Sequence, residues 1–203
     1  MTVVRQPTGL SWLNLILLRD DSDLVAMGSA EVNISRLLTL HDVTNVTSLY
    51  SLQMRYLLST QQQISRGLEG MIDAASDREL KDALRSHLQG VSLQRERIDQ
   101  ILIELTSKAE DAKCAISSAL VASVEKVVRE TDRGAVRDAW LVASARKMVS
   151  FEIASYYSAL QWASLLSYAY HVSLLQETLD EAGQSDARLR DIERKINLAA
   201  VAV

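Results

Sequence analysis

The sequence predicts an all-α fold, a four-helix bundle with one long connection. Three observations carry this reading. The 203 residues include one Pro and seven Gly, so there are few places where a helix must stop. Two stretches repeat core-type residues at helical spacing. Over residues 84–105 the seam is Leu84, His87, Val91, Gln94, Ile98, Ile101 and Leu105. Over residues 141–166 it is Leu141, Ala145, Met148, Glu152, Ser155, Ala159, Trp162 and Leu166. Steps of three and four put each set on one helical face, so two long helices face a shared core. Finally, both seams turn polar near their middles, where helical bundles commonly carry their polar sites.

The elements follow in order. Residues 1–46 hold the single Pro7, Gly9 and Gly28, and short apolar clusters such as Val32, Ile34, Leu37, Leu38 and Leu40. They read as a partly helical N-terminal arm that packs on the bundle or on a neighbouring subunit. The first long helix is expected over 47–75, with Leu49, Leu52, Tyr56, Leu57, Ile64, Leu68 and Met71 inward and Gln61 on or beside that face. Ser76, Asp77, Arg78 and Glu79 form an S-x-x-E capping box that starts the second helix, which ends near residue 107. A connection over 108–134 carries its own short helix, from about 114 to 131, and closes at Gly134. The third long helix spans about 135–166. The fourth runs to about 198 after a break near Ser167, with Val172, Leu175, Leu179, Ala182, Asp186 and Leu189 on its face. One uninterrupted helix over 135–198 is the alternative, since neither Gly nor Pro marks the break. Two short-linked hairpins joined by one long connection make the ferritin-like arrangement. The organisation is thus an arm (1–46), a ferritin-like four-helix bundle (47–198) and an apolar tail (199–203), which docks on a partner or frays.

Composition bounds the function. Apolar residues at 48% and charged residues at 24% describe a soluble globular protein. A net charge of −4 and a pI near 5.4 argue against nucleic acid as a partner, because no basic stripe would neutralise phosphates. The apolar run 10–18 is too short to span a bilayer and is followed by Asp20, Asp21 and Asp23. It reads as a packing segment, so no membrane span is expected. Cys114 is the single cysteine, which excludes an intrachain disulfide and fits a reducing, cytoplasmic setting. The N-x-S/T triplets at Asn33 and Asn45 carry little meaning in such a setting.

The candidate site residues are polar positions on the inner faces. Glu152 reads as a residual metal ligand, or as a buried acid held by Gln61, Gln94 or Tyr156; the second reading is favoured. Glu177 and Glu181, one turn apart, could chelate a cation, but such pairs are usually solvated. His87 reads as a core histidine, because no acid or second His follows at i+3 or i+4. His41 and His171 have no ligand-like neighbours in sequence. Tyr156, Tyr157, Trp162, Tyr168 and Tyr170 cluster where the last two long helices meet, with Trp140 in the same layer system. They read as bundle-end or dimer-interface packing rather than a cofactor cage. Gly-rich phosphate loops, C-x-x-C, H-E-x-x-H and E-x-x-H pairs are all absent from the sequence.

From about residue 49 to 189 the chain resembles the bacterial YciE/YciF family, a ferritin-like group of stress-associated proteins. The resemblance rests on five segments in order: 77–84 (DRELKDAL) with His87-Leu88, then Lys113-Cys114, 136–139 (VRDA), 151–156 (FEIASY) and 174–181 (LLQETLDE). It implies a bundle with a di-iron-type centre, which needs hard anionic oxygens and imidazoles to balance two cations. Compared with the pattern expected of the family, Gln61 stands where Glu is usual, Gln89 and Gly90 replace acids, Ser123 replaces Glu, and Val149 and Ser150 replace a Glu-His pair. Ala182 replaces a further acid, Gln94 is kept as a polar position, and Glu152, Glu177, Asp180, Glu181 and Asp186 survive. The expectation is a degenerate di-metal site: a non-catalytic structural or interaction protein, homodimeric and without cofactor. The alternatives are an iron- or manganese-dependent oxidase or peroxide-handling protein with a reduced site on Glu152, Glu177, Asp180 and Glu181, or a module binding an apolar ligand in the emptied core.

Overall fold

A computed structural model describes residues 43–105 and 112–202. Residues 1–42 of the proposed arm, with His41, lie outside these residues, and the arm's last residues lead into the first helix. Among the described residues five helices follow one another: α1 Val46–Ala74, α2 Arg78–Glu104, α3 Ala115–Glu130, α4 Ala135–Leu165 and α5 Ala169–Val201. Among the described residues there is no strand. The expected four long helices and the short one in the connection are all present.

Local chemistry sets the helix ends. Asn45 caps α1: its Oδ1 accepts from the Ser48 amide at 2.9 Å, and Ser48 Oγ accepts from the Asn45 amide at 3.2 Å. The triplet at Asn45 is therefore a helix start. The expected Ser76 box is corrected, because the cap of α2 is Asp77, whose carboxylate accepts from the Leu80 amide at 2.8 Å. Glu79 reaches away from that box to Lys195 at 2.8 Å. The turn between α1 and α2 is pinned by α4: both Asp138 oxygens accept from backbone, Oδ1 from Ser76 and Oδ2 from Asp77, each at 2.8 Å. Gly134, with φ +150°, supplies the backbone at the start of α4 that side-chain-bearing residues rarely adopt.

α4 and α5 are separate helices, which excludes the single long rod. Ser167 takes φ +58°, its amide bonds to the Ser164 carbonyl, and the Tyr168 amide bonds to the Ala163 carbonyl. These two bonds satisfy the final carbonyls of α4 and reverse the chain. α5 continues to Val201, past the expected end at 198.

Cross-helix contacts fix the topology. At one end the start of α1 (Tyr50), the end of α2 (Glu104) and the start of α5 (His171) meet. At the other, the starts of α2 and α4 meet at Asp138, and Lys195 of α5 reaches Glu79 of α2. α1 and α5 thus run one way, and α2 and α4 the other. The successive parallel helices α2 and α4 need a crossover, and α3 runs along α1 within it. Gln63 Nε2 donates to the Cys114 carbonyl at 3.2 Å, a Cβ on Gly67 would lie 3.0 Å from Val121 Cγ2, and Arg133 donates to the Asp73 carbonyl at 3.0 Å.

The core has two apolar compartments. One is built on Tyr50, Met54, Leu57, Ile98, Ile101, Ala159 and Leu175. The other is built on Ile64, Leu68, Met71, Leu84, Leu141, Met148, Val149 and Ala182. On each long helix the changeover is polar: Gln61, Gln94, Glu152 and Thr178 are all buried there.

Candidate functional site

The polar layer brings together Gln61 of α1, His87 and Gln94 of α2, and Glu152 and Tyr156 of α4. Gln61, Glu152 and Tyr156 are fully buried, and His87 and Gln94 nearly so. Gln61 Nε2 donates to Glu152 Oε1 at 2.9 Å and to the Tyr156 hydroxyl oxygen at 2.7 Å. His87 Nε2 stands 3.2 Å from Glu152 Oε2, within ion-pair reach, but off the hydrogen-bond direction. Gln61 Oε1, Gln94 Oε1, Glu152 Oε2 and both His87 ring nitrogens have no hydrogen-bond partner among the protein groups. Burial, then the neighbouring Glu152 carboxylate, pushes the Tyr156 hydroxyl well above the ordinary phenol range, so it stays protonated.

The expected hydrogen bonds to Glu152 come from Gln61. Gln94 turns instead to Glu181 Oε2 at 3.3 Å. Sequence spacing along one helix had left His87 without an acid; the acid comes from α4. Missed altogether was Arg97, which grips Glu177 at 2.7 Å and both oxygens of Glu181 at 2.8 Å. Its hydrogen bonds hold the Glu181 carboxyl below the usual carboxylate range. Asp180 is exposed and accepts from Gln176 at 2.9 Å. The four acids Glu152, Glu177, Asp180 and Glu181 therefore do not converge: one is buried, two are on Arg97 and one faces water. Asp186, also from the acidic set on α5, is held by Arg146 and Arg190.

Of the positions where acids or His were expected, Gln89, Ser123 and Ser150 are exposed, so they face no core site. Only Gln61, Val149 and Ala182 are buried. Ferritin-like di-metal centres draw a carboxylate from each of four helices and an imidazole from two of them. Here the layer offers one carboxylate and one imidazole, and the nearest other acids are engaged by a guanidinium. This donor set does not fit a di-metal group. Among the described residues, no group of three or more His, Cys, Asp or Glu is arranged to hold a metal ion.

A second constellation closes one end of the bundle. The Tyr50 hydroxyl lies 3.2 Å from His171 Nδ1, and His171 Nε2 lies 2.9 Å from Glu104 Oε2. Sequence reading gave His171 no partner, and this is corrected: its partners come from α1 and α2, 121 and 67 positions away. The aromatic group is likewise divided. Tyr156 belongs to the polar layer, Tyr168 and Tyr170 surround His171, and Trp140 is exposed, with Lys147 Nζ 5.2 Å from its ring centre.

An all-α bundle with two hairpins, a helical crossover and a polar layer between apolar halves defines a ferritin-like protein. Residues 45–202 match the family described as a domain of unknown function, DUF892. The chain belongs to this family. It is 36% identical over 135 residues to Protein YciF of Escherichia coli K12, covering 66% of this chain and 81% of that protein. The crystal structure of the E. coli stress protein YciF superposes with a TM-score of 0.72 at 31% identity, covering 75% of this chain and 97% of YciF. YcfI of Rhodopseudomonas palustris gives 0.71 at 29% identity, covering 75% and 97%. A Xanthomonas campestris protein at 16% identity, TM-score 0.66, shares the fold. Among the described residues no helix is long and apolar enough to cross a membrane.

Proposed function

We propose that this chain is a non-catalytic, stress-associated member of its family, a structural or interaction protein whose di-metal ligands are mostly replaced by neutral or packing residues. The observation that carries this is the composition of the buried layer: Glu152 is its one carboxylate, and Gln61, Gln94 and Tyr156 are neutral. Burying further acids without a counter-charge would cost several kcal/mol each. The reading is further supported by relatives described as a stress protein and as a candidate structural protein. Under this proposal the chain assembles as a cytoplasmic homodimer, for which sedimentation at micromolar concentration should give twice the chain mass. Metal analysis of protein from iron- or manganese-supplemented cultures is the test. Far less than one equivalent per chain is expected; one or two equivalents, lost in Glu152→Ala, overturns the proposal.

One observation favours a second reading, a metal-dependent oxidase or peroxide-handling protein with a reduced carboxylate site. The unpaired atoms of Gln61, His87, Gln94 and Glu152 are mostly acceptors in one buried layer, an arrangement open to a single cation. The same metal analysis separates the two.

A further inference from the structure

At the end of the bundle farthest from Asp138, a pocket of about 310 Å³ opens between the end of α2 and the start of α5. Thr47, Glu104, Leu105, Tyr168, Tyr170 and His171 line it, with the small Ala169 between the two tyrosines. The volume is at the lower end of the range for small-molecule sites. Among the described residues that line it, Glu104 is the one acidic side chain and none is Lys or Arg. The carboxyl end of α2 and the amino ends of α1 and α5 all reach the pocket, so their partial charges largely offset one another and leave a small positive remainder. Glu104, a full charge, outweighs that remainder and sets the sign of the site.

The walls are fixed before any ligand arrives. Tyr168 stands edge-on to His171, with ring centres 5.1 Å apart at 62°, and is braced behind by Tyr50 at 6.0 Å. Tyr170 lies 6.4 Å from His171 at 56°, and its hydroxyl donates to Gln100 Oε1 at 3.1 Å. Burial and the nearby Tyr168 and Glu104 raise the pKa of the Tyr50 hydroxyl, which stays protonated 3.2 Å from His171 Nδ1. The neutral tautomer that serves both contacts carries its proton on Nε2, accepting from Tyr50 at Nδ1 and donating to Glu104 Oε2. His171 thereby positions the carboxylate while using one of its several acceptor sites. Glu104 and Tyr170 are each about half exposed, so the mouth is open to solvent.

We infer that this pocket binds a small organic ammonium ion, with Glu104 as counter-ion and the faces of Tyr168 and Tyr170 as cation–π partners. The ligand class follows from one carboxylate set among tilted electron-rich rings, with no Lys or Arg among the described residues of the lining. This site shares no residue with the buried polar layer, so it stands or falls apart from the metal question.

Choline and its uncharged carbon isostere, 3,3-dimethylbutan-1-ol, titrated into the full chain by calorimetry and by amide-shift mapping, test the proposal. Choline should saturate, with shifts centred on residues 168–171, and should bind at least about 10-fold tighter than the isostere. Glu104→Gln and Tyr170→Ala should each weaken it by about 5-fold or more. Glu79→Gln, at the opposite end of the bundle, should leave it unchanged. Equal binding of the two probes, no saturation with choline, or an unchanged affinity in both pocket variants overturns the inference. A preference for acetate over choline overturns it as well.

Discussion

The bundle holds two His–Glu contacts that differ mainly in access to water. In the first, His87 and Glu152 are both sealed, at 3% and 0% side-chain exposure. In the second, His171 is sealed at 4% while Glu104 is 52% exposed. A charge on either member of the first pair is cut off from water and has only protein groups to offset it. The second leaves its charge solvated, contributes little to stability, and keeps a carboxylate available to something from outside. Similar side chains thus serve as an internal counter-charge in one place and as a recognition surface in the other.

The sharpest way to break this contrast is to remove one partner from the sealed pair. His87→Leu leaves Glu152 without its imidazole and should destabilise the fold by about 3–5 kcal/mol in urea unfolding. His87→Leu with Glu152→Leu together should recover most of that loss, since an apolar pair replaces a buried polar one at little net cost. Gln61→Leu removes the amide that donates to both Glu152 and Tyr156 and should cost about 2–3 kcal/mol. The solvated pair should behave otherwise: Glu104→Gln should change stability by less than about 1 kcal/mol, measured in the same way.

A smaller effect appears in acid. The Glu181 carboxyl is held low chiefly by hydrogen bonds from Arg97. The unfolded chain binds its proton first, so the stabilisation is full above the ordinary carboxylate value. It is lost as pH falls through the lowered folded value. Arg97→Met should flatten this part of the stability-versus-pH curve and leave its neutral end lower. An unchanged acid slope in Arg97→Met would show that Arg97 is not what holds Glu181.

The fold was legible because it depends on period and punctuation. The seams through Leu84 and Leu141 set which faces turn inward, and the long 108–134 stretch required a crossover. Gln61 and Glu152 were legible as inward polar positions for the same reason. Partnership across helices was not. Arg97 sits one position from Ile98 and reads as a solvated charge until α5 brings Glu177 and Glu181 against it. His171 draws its partners from two other helices, and Asp138 caps a turn about 60 positions upstream. Periodicity describes one helix at a time, and these contacts depend on the rotation of each helix about its axis. The same limit misplaced Gln89, Ser123 and Ser150, which are read against the pattern expected of the family but face water.

Ser167 has a consequence for the hairpin it closes. Its left-handed backbone, φ +58°, is one that glycine adopts freely and serine adopts at a cost of about 1 kcal/mol or more. The reversal that folds α5 back onto α4 is therefore held against local strain. The packing of the two helices on the shared core offsets that strain, so the turn is a result of the bundle's assembly rather than its cause.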